Sequence, residues 1–350
     1  MSAEVQPARL SGHDPRRAGP YRLTGRLGRG GQGTVYLGED DAGARAAVKV
    51  LDIDVRHDVR ARDRFLREID AARRVASFCT AQILAVDVDG DPPYVASEFI
   101  PGRNLGEEIA HGGVLRGARL ERLAISTVTA LAAIHQAGVV HCDFKPGNVV
   151  CGPDGARVID FGIARAAGER HTTLMGSPAF MAPERFSNAD VGPPADMFAW
   201  AATIAYAAGG RPPFGDDSLM MIMQRVVHDP PDLTGLAAGL EGLLRDCLHK
   251  DPQGRPTARE ALLRLVERNG AAIDSARLRD SVEQVTRQLV VPAAPAWRDA
   301  GGLLLAGLLG AAGAVVGGSL GGPAEAAGLG CAALGSSWIV RTLVAARWGR

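Results

Sequence analysis

The sequence predicts an α+β protein of two unequal lobes, a small β-rich lobe followed by a larger helical one, with apolar helical segments toward its C-terminal end. Three observations carry this. Strand-like runs crowd residues 21–98, helix-like runs dominate from residue 101 to 267, and residues 300–346 are nearly devoid of charge.

The 350 residues, 46% of them hydrophobic, suffice for a two-lobed body with its own core. Lys plus Arg and Asp plus Glu stand at 39 each, so there is no bulk basic field and nucleic acid is not an expected partner. Cys79, Cys142, Cys151, Cys247 and Cys331 lie scattered, with no C-x-x-C pair. That argues against a disulfide framework or structural zinc and for a reducing compartment.

Residues 1–20 hold Pro7, Pro15 and Pro20 but no apolar run of the roughly 7–15 residues that a signal peptide needs. They read as a disordered leader on the cytosolic side. Within the body, 21–27 and 33–38 read as strands around a glycine turn, and 46–51 as a third strand. Residues 62–75 place Phe65, Leu66, Ile69 and Ala72 on one helical face. The runs 83–88 and 94–99 read as a hairpin turned at Asp89-Gly90. Its acids mimic a calcium loop, but Pro92 stands where such a loop needs glycine. Residues 120–136 form a long apolar helix that Gly138 can stop. A β-rich half ahead of a helical half leaves a cleft between them.

The candidate chemistry sits around that cleft. Gly28, Gly30 and Gly33, with Val35, fit G-x-G-x-x-G-x-V. Alone, the pattern also suits dinucleotide folds and plain turns, but here a strand rather than a helix follows it. Ala47-Val48-Lys49 puts a lysine among apolar neighbours on the third strand, and Glu68, nineteen positions on, can orient it from the helix. The run His141-Cys142-Asp143-Phe144-Lys145-Pro146-Gly147-Asn148 precedes Asp160-Phe161-Gly162. Asp143 can accept a proton from a hydroxyl, Lys145 can neutralise a moving phosphoryl group, and Asn148 and Asp160 offer oxygens to Mg²⁺.

These residues, in this order, resemble the protein kinase family over residues 21–267, about seventy per cent of the chain. The likeness continues through Met181-Ala182-Pro183-Glu184, Asp196 and Arg255. It implies the bilobal kinase fold, with lobes at 21–98 and 101–267, and an ATP-dependent enzyme using Mg²⁺ or Mn²⁺. By the same likeness Glu184 pairs with Arg255, and Asp196 braces the catalytic loop. Ser97 falls at the gatekeeper position, Glu98 to Ile100 at the hinge facing adenine, and Val35, Ala47 and Val150 around the base. Lys145 and Ser177 are similar to the serine/threonine branch, and the apolar tail resembles that of membrane-anchored bacterial kinases of the Hanks type. Protein substrates and autophosphorylation follow as expectations. Thr172, Thr173 and Ser177 are the candidate phosphosites of the activation loop.

One departure stands out. Cys142 replaces the arginine that in this family holds an activation-loop phosphate, and a thiol cannot make that charge-assisted pair. Modification of the loop is therefore expected to couple only loosely to activity. The rival reading, an ATP-binding pseudokinase scaffold, would show loss of Lys49, Asp143 or Asp160, and all three are present.

Residues 268–299 hold a juxtamembrane helix striped by Ile273, Leu278, Val282, Val285 and Leu289, then a proline-broken linker at 291–295. Residues 300–320 carry no charge and are long enough to cross a bilayer; 326–340 are a shorter apolar run. Arg298, Arg341, Arg347 and Arg350 flank them, which favours a hairpin with both ends in the cytoplasm over a single span. Gly313, Gly317 and Gly321 have the spacing for close helix packing, within the hairpin or in a homodimer, and the juxtamembrane helix offers a second route to pairing. With no sensor module after the tail, a signal is expected through the membrane segments, the juxtamembrane helix or a partner.

Overall fold

The computed structural model describes residues 7–30, 33–52, 59–75, 79–161, 177–187 and 191–269. All belong to the first of the chain's two units, Met1–Val290; the second, Val291–Arg350, lies outside the described residues.

Among the described residues, the first lobe is a six-stranded sheet with one helix. Its elements are β1 (Arg17–Ala18), β2 (Tyr21–Gly30), β3 (Gly33–Glu39), β4 (Arg45–Leu51), α1 (Val59–Ala72), β5 (Ile83–Asp87) and β6 (Tyr94–Glu98). The strands pair antiparallel in the order β1-β2-β3-β4-β6-β5. Successive side chains on a strand point to opposite faces, so the register separates two sets of residues. Tyr36, Val48 and Ala96 lie opposite one another and are buried in an apolar cluster with Tyr21, Leu23 and Tyr94. Val35, Ala47, Lys49 and Ser97 share the other face and are half-buried, as a cleft lining should be. On α1, Phe65, Ile69 and Ala72 are buried, and Leu66 packs against the same core.

The second lobe holds β7 (Arg103–Asn104), α2 (Leu105–Gly112), α3 (Gly117–Gln136), β8 (Val149–Gly152), β9 (Gly155–Val158), α4 (Pro193–Gly209), α5 (Leu219–His228), α6 (Ala238–Cys247) and α7 (Ala258–Asn269). Asn104 and Glu107 form a reciprocal capping box that starts α2. Helix α4 is apolar on all sides and buried almost throughout, so it serves as the post around which the lobe packs. Its Trp200 donates Nε1–H to Thr127 Oγ1 on α3 at 2.9 Å, satisfying the indole in the core. Gly210, at φ 77°, takes the left-handed step that ends the helix.

The lobes are stitched along β9. Val158 N–H donates to Cys79 O at 3.0 Å, Ala81 N–H donates to Val158 O at 3.1 Å, and Arg157 pairs with Glu98 at 2.8 Å. Burial pushes the Cys79 and Cys247 thiols up to about 12 and the Cys151 thiol up to about 11, so none supplies a thiolate near neutral pH.

The expected disordered leader needs correction over residues 7–20. Ala8 and Arg26 exchange two backbone hydrogen bonds at 2.8 Å, and β1 adds an edge to β2. Tyr36 donates its hydroxyl to Asp14 Oδ1 at 2.7 Å, and Leu10 packs on the apolar cluster. The segment is proline-rich yet ordered, because β2 presents an unpaired edge and a buried tyrosine hydroxyl that it satisfies.

Among the described residues, no helix is long and apolar enough to cross a membrane. The apolar runs of 300–346 and the juxtamembrane stretch beyond Asn269 lie outside them.

Candidate active site

The roof of the site is formed by the paired strands β2 and β3. A side chain at Gly28 or Gly30 would meet nothing within 4 Å, so this edge leaves room for a ligand to approach the backbone. Gly33 is different: at φ 149° its missing Cβ would lie 2.0 Å from Val50 O of β4, so only glycine fits there. Lys49 sits beside Val35 in the sheet register, and Glu68 is half-buried on α1. Ser97 lies opposite Ala47 and reaches its carbonyl at 3.4 Å. Ile100 and Val150 are buried with Ala81 in a small cluster, with Ile159 packed against it, which supplies an apolar floor. Glu98, at the start of the expected hinge, pairs through Oε1 with Arg157 Nη1 at 2.8 Å.

The catalytic loop runs between α3 and β8. Lys145 Nζ donates to Asp143 Oδ2 at 2.7 Å, and Asn148 Nδ2 donates to the same oxygen at 3.2 Å and to Asp143 O at 2.7 Å. Both side-chain partners therefore fall on Oδ2, and among the described residues Oδ1 takes no hydrogen bond. That leaves an oxygen for an incoming hydroxyl. The 3-10 turn Pro146–Asn148 carries the loop into β8, and Ile159 N–H donates to Asn148 O at 3.0 Å. This bond sets Asp160, one residue further on, next in line after the catalytic loop. With Asn148 Nδ2 committed to Asp143, its Oδ1 is left to accept; that oxygen and the Asp160 carboxylate are of the hard donor type that could hold a divalent cation such as Mg²⁺.

The loop needs restraint, because Cys142 adopts φ 65° and Asp160 φ 59°, a region that costs an ordinary residue roughly 1–2 kcal/mol. Asp196, near the start of α4, provides the restraint. Its Oδ2 accepts from His141 N–H at 2.7 Å and from His135 Nε2 at 2.8 Å, and its Oδ1 accepts from Cys142 N–H at 2.9 Å. Burial works against the ionised form, but the hydrogen bond and charge of His135, with His141, outweigh it and hold the carboxyl below its ordinary 3.8. His141 is itself buried against Phe144, ring centroids 5.4 Å apart, and burial pushes its imidazole below the usual range. Phe144 is buried in the core of the lobe.

A second anchor fixes the segment after the activation loop. Arg255 pairs bidentately with Glu184, at 2.7 and 2.8 Å, and its other hydrogens go to the carbonyls of His249, Pro194 and Lys250. All five guanidinium donors are used, which suits a side chain with no exposure. Ser177 lies at the mouth of a recess lined also by Asp143, Lys145, Phe180 and Arg185. Thr172, Thr173 and Gly162 lie outside the described residues. Reading the sequence missed His135, Arg157 and Arg185. A lone histidine or arginine carries no signal of its own, although His135 at the last turn of a helix stopped by Gly138 could have hinted at an acceptor nearby.

Replacing Asp196 by Asn leaves buried amides short of an acceptor and is expected to cost about 2–4 kcal/mol at pH 7. Because the folded-state value lies below 3.8, the carboxylate's contribution is present above that pH and fades as pH falls through the folded value. Urea unfolding from pH 7 to pH 3 should show the gap between wild type and Asp196→Asn narrowing; a constant gap contradicts the assignment.

Residues 21–264 match the protein kinase domain family. The probable serine/threonine-protein kinase PkwA of Thermomonospora curvata is 43% identical over 256 residues, covering 72% of this chain and 34% of that protein. The serine/threonine-protein kinase AfsK of Streptomyces coelicolor is 37% identical over 252 residues, covering 71% and 32%. The crystal structure of the Mycobacterium tuberculosis PknI kinase domain superposes with a TM-score of 0.58 at 26% identity, over 74% of this chain and 99% of that one. The chain spans about a third of the length of these curated relatives. With its two lobes, its Asp143–Lys145–Asn148 cluster and its Asp196 brace, the chain belongs to the protein kinase domain family.

Proposed function

We propose that this chain transfers the γ-phosphoryl group of ATP to serine or threonine hydroxyls of proteins, itself included. The observation that carries the reading is the Asp143 carboxylate with one oxygen held by Lys145 and Asn148 and the other taking no hydrogen bond among the described residues. Mg²⁺-bound ATP supplies the phosphoryl group and the charge-neutralising metal. Asp143 Oδ1 takes the proton of the incoming hydroxyl. Lys145, two residues away, exchanges its bond to Asp143 for the charge that builds on the transferred group. Asn148 Oδ1 and Asp160 would hold the metal, Lys49 would reach the phosphates, and the open backbone at Gly28 and Gly30 would cover them. The apolar floor of Ile100 and Val150 would take the base. The serine/threonine names of the relatives support the choice of acceptor. A pseudokinase scaffold is not favoured, since Lys49, Asp143 and Asp160 are all retained.

The site we propose for this work is the cytoplasmic face of a bacterial membrane. The support is the uncharged run at 300–320, the second run at 326–340 and the arginines that flank them. Pairing through the juxtamembrane stripe or the glycine-spaced segment belongs to the same proposal.

Asp143→Asn is expected to lower turnover by about 10²-fold or more, with nucleotide binding retained. Equal phosphotransfer by the purified wild type and variant refutes the reading. Deleting residues 300–350 is expected to move the protein from the membrane fraction to the soluble fraction with turnover within about twofold of the full chain. Membrane retention after the deletion contradicts the anchor.

A further inference from the structure

The peptide unit joining Cys142 to Asp143 carries the catalytic aspartate, and both of its polar groups are held. Its N–H donates to His141 Nδ1 at 3.3 Å, a long bond made within the same loop. Its carbonyl accepts from Nη1 of Arg185, which comes from a different part of the lobe. Asp196 grips the unit before, through Cys142 N–H, and so restrains φ of Cys142. It has no hold on ψ of Cys142 or φ of Asp143, which change together if the 142–143 unit rotates. Arg185 opposes that rotation from the carbonyl side.

Arg185 stands on anchored ground. It follows Glu184, which Arg255 fixes bidentately, in the 3-10 turn Pro183–Phe186, and its own N–H donates to Ala182 O at 3.0 Å. Its half-buried side chain lines the recess beside Cys142, Lys145 and Ser177. An arginine at position 142 would bring a cation that waits for a phosphate. Here the chain carries cysteine at that position, and the cation that reaches the loop comes from position 185 and is spent on a backbone carbonyl. Nothing in this contact needs a modified residue.

We propose that Arg185 is a positioning residue that locks the peptide unit ahead of Asp143 without a phosphate, so that the base is aimed in the unmodified chain. The proposal rests on the kinase reading above. It makes the clamp a fixed part of the helical lobe rather than a switch.

The test uses the full chain, treated with phosphatase, with ATP, Mg²⁺ and casein as acceptor. Arg185→Met is expected to lower kcat about tenfold, with KM for ATP within about twofold and the thermal midpoint within about 2 °C. Arg185→Lys, which keeps a donor at that place but not the guanidinium's reach and fork, is expected to recover kcat only to about a third of wild type. Backbone amide exchange at Asp143 should quicken in Arg185→Met. Unchanged kcat, or a loss that tracks the thermal midpoint and is not recovered by lysine, overturns the proposal. If the methionine variant does not fold, Arg185→Lys decides: the partial loss supports the clamp and wild-type kcat with wild-type exchange overturns it. If the wild type itself transfers no phosphate, the kinase reading falls, and exchange at the Asp143 amide still judges the clamp: faster in the variant supports it, unchanged contradicts it.

Discussion

A single buried carboxylate holds the catalytic loop in a shape it would not adopt alone. Asp196 gives one oxygen to the His141 amide and His135, and the other to the Cys142 amide. Without these acceptors, a buried and a half-buried N–H group would lack their partners and the left-handed turn at Cys142 would lose its restraint. Asp143, Lys145 and Asn148 follow within six residues of that turn, so their mutual distances inherit its geometry. The geometry of the cluster is thus set from the buried start of α4.

The brace works because its own support is rigid. Asp196 lies in the first turn of α4, a helix buried on every side and locked to α3 through Trp200 and Thr127. The same helix start is tied to Arg255 through Pro194 O, and Arg255 in turn holds Glu184. Phe198 of α4 lies under the Arg255 guanidinium at 5.0 Å. One buried network therefore reaches from the helical core to both sides of the recess, and Arg185 carries it on to the Cys142 carbonyl. The cleft roof is built by different means, through sheet register. Pairing Val35 with Lys49 and Ala47 with Ser97 places all four on one face regardless of what the helical lobe does.

Much of this was legible in the sequence, for identifiable reasons. The strands, α1 and α3 announce themselves by period, and their observed bounds differ from expectation by a few residues at most, as at the start of α1, where Val59 replaces Arg62. Motif order located Asp143, Lys145, Asn148, Glu184, Asp196 and Arg255 because each motif is local and carries several letters. What the sequence hid depends on pairing across distance. The leader looked disordered by its prolines, yet the free edge of β2 and the Tyr36 hydroxyl fix it. Arg157 gave no sign that its partner is Glu98, 59 residues away, because neither sits in a shared local motif. Arg185 and His135 are single polar residues whose partners are backbone carbonyls and a carboxylate that only the fold brings near.

The central claim is that the His141 and Cys142 amides are locked by the Asp196 carboxylate in the native state. Native-state hydrogen exchange at these two amides tests it most directly. The account predicts that both exchange only through global unfolding, with opening free energies equal to those of the α4 core amides. Exchange at the rate of an exposed loop, while α4 remains protected, would contradict it.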